Sequence, residues 1–196
     1  MSNVGLSAMP TRETAHCGDF WEVVRRDLEM VGERLSTGSL LRKLWVDPGF
    51  SAVFHYRLGV RMRAFRGVGR FFSKVLWKRI ISKNSSYISL SATIGPGLRI
   101  PHGVGIVIGD GVKVGSNVTI FQNVTLGSGR LVDDVSYPSL GDGVTIYAGA
   151  VVVGGVTLGN GVVVGANAVV VDSFSDNAIV AGAPARRLKV KGVSSQ

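Results

Sequence analysis

Cysteine is nearly missing from this sequence: Cys17 stands alone among 196 residues. No internal disulfide can form, so the fold has no need of an oxidising compartment. Histidine is almost as scarce. His16, His55 and His102 lie far apart, without the ligand spacing of a metal site, and no metal is expected. The N-terminal run MSNVGLSAMPTRETAHC lacks the basic-then-apolar order of a secretory signal. Glycine interrupts the aliphatic region after Val144 too regularly for a bilayer-spanning helix. A cytoplasmic protein without a transmembrane segment is therefore expected. A formal charge of +9 comes with no nucleic-acid-binding motif, so no nucleic-acid partner is expected.

What the chain does contain is unevenly placed. Charged and aromatic residues concentrate before about residue 85, and Gly/Val repetition follows. Residues 1–17 read as a flexible lead and 18–84 as an α-helical cap. From Asp19 to about Leu35, Trp21, Val24, Leu28, Val31 and Leu35 recur every three or four residues, with charged residues between them. Ser36 to Gly38 and Asp47-Pro48-Gly49 read as punctuation, and two further helical runs are expected over about 50–67 and 69–82. The second half of this segment carries Arg57, Arg61, Arg63, Arg66, Arg70, Lys74, Lys78, Arg79 and Lys83 among Phe65, Phe71, Phe72, Trp77 and Ile80. That mixture reads first as a solvated helix face and second as a surface for peripheral contact with an anionic membrane.

Beyond Ser85 the period becomes six. Aliphatic residues fall at Ile108, Val114, Ile120 and Leu126, then at Leu140, Ile146, Val152, Leu158, Val164 and Val170. Neither an α-helix nor an alternating strand has that period; a coil repeat does. Six residues make a short strand and a corner, three such units make one triangular turn, and the aliphatic residue stacks inward on its counterparts. The expected fold is mainly β, a parallel β-helix over 85–183 with the helical cap in front and a tail over 184–196.

Two interruptions stand out. Ile108 follows Ile100 by eight residues instead of six, and the two extra residues surround His102. Leu140 follows Leu126 by fourteen instead of twelve, so a loop over 128–138 must project from the coil. Loops on a rigid scaffold are where a solenoid can present functional side chains.

The segments IGPGLRIPHGVGIVIG (residues 94–109), NVTIFQNVTLG (117–127) and AGAPAR (181–186) resemble the hexapeptide-repeat acyltransferases. The resemblance is closest to the serine acetyltransferase branch and its polysaccharide O-acetyltransferase relatives, and covers about residues 87–188. It implies a left-handed coil, a homotrimer with sites between neighbouring subunits, and acetyl-CoA as acetyl donor. It also implies direct transfer with His102 as general base. By the same resemblance Gly127, Ser128, Ala148 and Ala166 form small-residue corners along the acetyl-CoA groove, and Arg186 approaches a CoA phosphate. Asp47 and Tyr87 match positions that serve the acceptor or the histidine in the serine branch.

Three departures bear on the acceptor. Pro101 stands where that branch has Asp, Ser136-Tyr137-Pro138 where it has Arg-His-Pro, and Tyr87 where it has the carboxylate that pairs with the histidine. Charged groups that recognise an amino acid's carboxylate and ammonium are thereby missing. Tyr137 suits a sugar ring, as a stacking or hydrogen-bonding group, or else merely packs the loop. The expectation is an O-acetyltransferase acting on a sugar hydroxyl in surface or exopolysaccharide biosynthesis. Serine O-acetylation for cysteine biosynthesis and a non-catalytic solenoid scaffold are the alternatives.

Overall fold

The computed structural model describes residues 19–65, 67–131 and 134–188. The expected flexible lead with His16 and Cys17, Asp133, and all of the expected tail beyond 188 lie outside the described residues.

Four helices form the cap: α1 (Phe20–Glu29), α2 (Thr37–Val46), α3 (Pro48–Arg63) and α4 (Val68–Asn84). Their starts follow local chemistry. Asp19 caps α1, Ser36 and Ser39 form a reciprocal capping box for α2, and Asp47 caps α3 with Pro48 in its first turn. The helix expected as far as Leu35 closes at Glu29, where Gly32 turns the chain at φ +78°. α2 occupies a stretch read only as lying between two punctuation signals. None of its residues is fully buried, and the short spacing of Leu40 and Leu44, which pack half-buried against Val24, Leu28 and Phe50, is the signal that sequence reasoning missed.

The helices are tied to the coil by a buried ion pair. Arg57, 8% exposed, donates through Nε and Nη2 to the carboxylate of Asp27, 2% exposed, at 3.0 and 3.2 Å. The same carboxylate accepts the backbone N–H groups of Gly97 and Leu98 at 2.8 and 3.0 Å, and Arg57 also donates to the carbonyls of Ile94 and Gly95. Arg57 is thus no part of a solvated face, contrary to its place among the surface cations. Tyr56 makes a second tie by donating its hydroxyl to the Ala92 carbonyl at 2.9 Å, and burial pushes its phenol up to about 12.

From Tyr87 onward the chain winds into a left-handed parallel β-helix of three faces. The first face stacks Tyr87–Ile88, Val107–Ile108, Thr125–Gly127, Val151–Val153 and Val169–Val170. The second stacks Thr93–Ile94, Lys113–Val114, Ser139–Leu140 and Thr157–Leu158, and the third Thr119–Ile120, Thr145–Ile146, Val163–Val164 and Ile179–Ala181. Register follows the sequence period: Ile108 lies on Leu126, and Leu126 on Val152. Each unit sends in a second residue two places earlier, as Val118 before Ile120 and Val144 before Ile146, all fully buried. At one edge the corners alternate Gly and Asn with positive φ. The side-chain oxygen of Asn123 fills the space where Gly105 lacks a Cβ, 2.2 Å from where one would sit, and Asn167 does the same for Gly149.

At the far end the chain reverses. Arg186–Arg187 pairs antiparallel with the last third-face strand, and Ala185 N–H donates to the Val169 carbonyl at 2.7 Å. Among the described residues no helix is long and apolar enough to cross a membrane.

Candidate active site

His102 stands on the edge where the third face turns into the first. The coil below goes from Ile120 to Val124 at this edge, whereas the His102 coil goes from Ile100 to Ile106 and so has two residues to spare. The surplus is a tight turn in which Val104 N–H donates to the His102 carbonyl at 2.9 Å. Buried Ser86 braces it by donating to the Gly103 carbonyl and accepting from Ile106 N–H. The imidazole is left exposed. Its ring centre is 6.5 Å from that of Phe121, which stacks on Tyr147 at 5.0 Å with the planes 17° apart. One ring per coil thus descends the edge, and below them Gly165 and exposed Ala166 leave it shallow.

The start of α3 is packed directly onto this turn. A Cβ on Gly49 would lie 1.8 Å from the Ile100 carbonyl oxygen, and one on Gly103 would lie 2.9 Å from Gly49 Cα. Only two glycines allow that approach. It brings the Asp47 end of α3 to the His102 turn. Asp47 accepts from Phe50 N–H at 2.9 Å through Oδ1, and Lys43 Nζ lies 3.7 Å from Oδ2.

The remaining predicted site residues gather elsewhere. The loop is an antiparallel hairpin of Gly129–Leu131 with Asp134–Ser136, and it returns the half-buried ring of Tyr137 to the edge between the first and second faces. There the ring covers Gly109 and Gly111; a Cβ on Gly111 would meet Tyr137 Cδ2 at 2.3 Å. Tyr87 lies on the first face with its ring edge-on to Trp77 at 5.6 Å. Burial, and behind it the charges of Asp110 and of Tyr137 when ionised, raise its phenol. Asp110 in turn accepts a hydrogen bond from the Ser89 hydroxyl at 2.5 Å.

His102 and Tyr137 therefore occupy different edges of one chain, a full face apart. The small-residue corners divide in the same way: Gly127 and Ser128 lie on the Tyr137 edge, Ala148 and Ala166 on the His102 edge. Gly127 opens onto free space, with only Thr125 Cγ2 and Val153 Cγ1 within 4 Å of a would-be Cβ. Exposed Arg186 pairs with Asp172 at 2.9 Å. Sequence reasoning missed Ser86, Gly49, Phe121 and Tyr147. The last two had a signal, since each directly follows an inward residue of the six-residue period.

The family model described as bacterial transferase hexapeptide (six repeats) matches residues 137–172. Over 180 residues the chain is 33% identical to a serine acetyltransferase of Staphylococcus aureus (strain Mu50), covering 87% of this chain and 79% of that protein. A serine acetyltransferase of Helicobacter pylori (strain J99) is 37% identical over 147 residues, 74% of this chain and 84% of the relative. The chain belongs to the serine acetyltransferase family. The structure of the Neisseria gonorrhoeae serine acetyltransferase in complex with serine superposes with a TM-score of 0.74 at 28% identity, over 87% of this chain and 69% of that one. Soybean serine acetyltransferase complexed with serine gives 0.75 at 32% identity, over 86% and 69%.

As a member of the serine acetyltransferase family the chain is an acetyltransferase that draws on acetyl-CoA. The expected sugar-hydroxyl acceptor is corrected by these findings: the family match runs through cap and coil alike, including the segments where Pro101, Ser136 and Tyr137 depart from the family pattern. The structure supplies a reason for the misreading. Tyr137, taken as a platform for a sugar ring, lays its ring on the Gly109–Gly111 corner and packs against the coil core.

Proposed function

We propose that this chain acetylates the side-chain hydroxyl of L-serine with acetyl-CoA as donor, and that His102 is the general base. The observation that carries the reading is the exposed imidazole on the two-residue break, against which the Asp47 end of α3 is packed. A serine hydroxyl is a poor nucleophile at neutral pH, and imidazole is the side-chain type suited to taking its proton there. His102 removes that proton as the serine oxygen attacks the thioester carbonyl. The new C–O bond forms, the C–S bond breaks, and the imidazolium returns the proton to the departing CoA thiolate. No acyl-enzyme is needed. The Asp47 carboxylate supplies a negative charge for the serine ammonium at the same turn.

A homotrimer completes the site. His102 and the Tyr137 loop sit on different edges of one prism, as do the two pairs of small corners, so a groove containing both sets requires edges from two copies. In that groove the acetyl-CoA chain lies along Gly127, Ser128, Ala148 and Ala166, with Arg186 beside a phosphate. The hydroxyls of Ser136 and Tyr137 meet the serine carboxylate with neutral hydrogen bonds.

The test is CoA release from acetyl-CoA with L-serine, with O-acetylserine identified by mass and the assembly measured by light scattering. His102→Ala is expected to lower kcat by about 10²–10⁴-fold without changing the assembly. Serine-independent turnover, or a variant within a few-fold of wild type, overturns the reading.

A further inference from the structure

Between Asp47 and Asp110 the sequence contains no acidic residue, while ten arginines and lysines fall in the same stretch. Five of those cations lie on α4: Arg70, Lys74, Lys78, Arg79 and Lys83. The two sides of this helix differ sharply. Gly69, Ser73 and Ile80 are buried, and Leu76 and Trp77 half-buried, forming one stripe at helical spacing that packs on the protein. At 100° per residue the opposite side holds Val68, Phe71, Phe72 and Val75. They are apolar yet 71%, 65%, 48% and 47% exposed. Exposed Lys74 and Lys78 line one flank of this strip, and exposed Arg79 falls within it, between Val68 and Phe72.

Four large apolar side chains gathered on one helix exceed the scattered exposure ordinary at protein surfaces. An apolar strip edged by cations and free of acids has the chemistry of a helix lying in a lipid interface. Phenylalanine rings enter the acyl boundary while the long lysine and arginine side chains reach the headgroup phosphates. We infer that the outer face of α4 docks this protein on an anionic membrane surface. A second copy of the chain fits this strip poorly, because Arg79 within it would be buried against apolar side chains with no acidic partner on the facing strip. A nucleic acid would meet the cations and could stack on the rings but leaves exposed Val68 and Val75 without a partner. The docking is independent of which hydroxyl is acetylated.

The experiment is co-sedimentation of the full chain with vesicles of phosphatidylcholine alone and with vesicles containing an equal share of phosphatidylglycerol. Binding is expected only to the anionic vesicles, and it weakens toward 1 M salt, where the screening length falls to about 3 Å. Lys74→Gln with Lys78→Gln is expected to lower the partition about 25-fold, at roughly 1 kcal/mol per cation. Phe71→Ser with Phe72→Ser is expected to lower it as well. All of these side chains point to solvent, so melting temperature and molar mass should match wild type in both variants. The inference is overturned by failure of wild type to bind anionic vesicles at low salt, or by equal binding to neutral ones. Vesicle binding that survives the Phe substitutions overturns it too, whether their effect is on molar mass, marking a contact between copies, or binding is matched by heparin, marking a general polyanion site.

Discussion

Asp27→Ala removes the carboxylate through which α1 and α3 are fastened to the first coil. Four hydrogen bonds disappear: two from Arg57 and those from the Gly97 and Leu98 N–H groups. Arg57, 8% exposed, is left with only the carbonyls of Ile94 and Gly95. Breaking a buried ion pair on one side costs about 3–5 kcal/mol, because a charge stays buried without its partner. For a chain of this size each kcal/mol lowers Tm by about 2–4 °C, so a fall of about 6–20 °C is expected. Circular dichroism melts measure it, repeated at several protein concentrations so that any contribution from assembly is seen. Arg57→Leu added to Asp27→Ala should recover part of the loss, since no orphaned cation remains, but not all, since two backbone N–H groups still lack an acceptor. A single variant melting within about 2 °C of wild type, or a double variant whose loss is the sum of the singles, refutes this account of the pair.

Gly49→Ala drives a methyl group into the Ile100 carbonyl and must lift the Asp47 end of α3 from the His102 turn. A misplacement of ~1 Å at a reacting group can cost about 100-fold, and steady-state kcat/KM for serine should fall on that scale. Tyr56→Phe isolates a pH effect. Its phenol titrates near 12 in the fold against 10.0 ordinarily, so the stabilisation it lends is complete below pH 10. It is lost between those values as the unfolded chain ionises first, to a total of about 3 kcal/mol. Urea melts from pH 8 to 12 should show wild type losing stability more steeply than the variant at the alkaline end. Ser136→Arg with Tyr137→His restores charged groups to the loop. Exchanging a neutral for a charge-assisted hydrogen bond to the serine carboxylate should lower KM for serine about fivefold with kcat little changed.

The coil was legible in the sequence because every third-of-a-turn aliphatic must stack on its neighbour, which imposes a strict period. Its second inward row was harder to see. Ala150, Ala168 and Ala178 belong to it, while outward strand positions such as Val107, Val151, Val163 and Val169 are equally aliphatic. His102 was legible for the opposite reason, as a break in the period. What packs around it was not: the approach of α3 depends on Gly49 meeting Gly103 across fifty-four positions, and no local pattern records such a meeting. Arg57 was misread among the surface cations because its partner lies thirty residues away on another helix. The acceptor was misread because a substituted motif says which groups are gone, but not that the Tyr137 ring is already occupied with two glycines.

The chain reversal at Arg186–Arg187 has a bearing on solubility. A column of parallel strands ends in unpaired backbone groups, and each such rim can serve as a template on which the next molecule nucleates, so that identical prisms string end to end into fibres. Here the last third-face strand is covered by an antiparallel partner carrying two positive charges, and Ala185 occupies the Val169 carbonyl beside it. Two of the three faces are thus closed at this tip within the molecule itself, which works against end-to-end growth of the repeat.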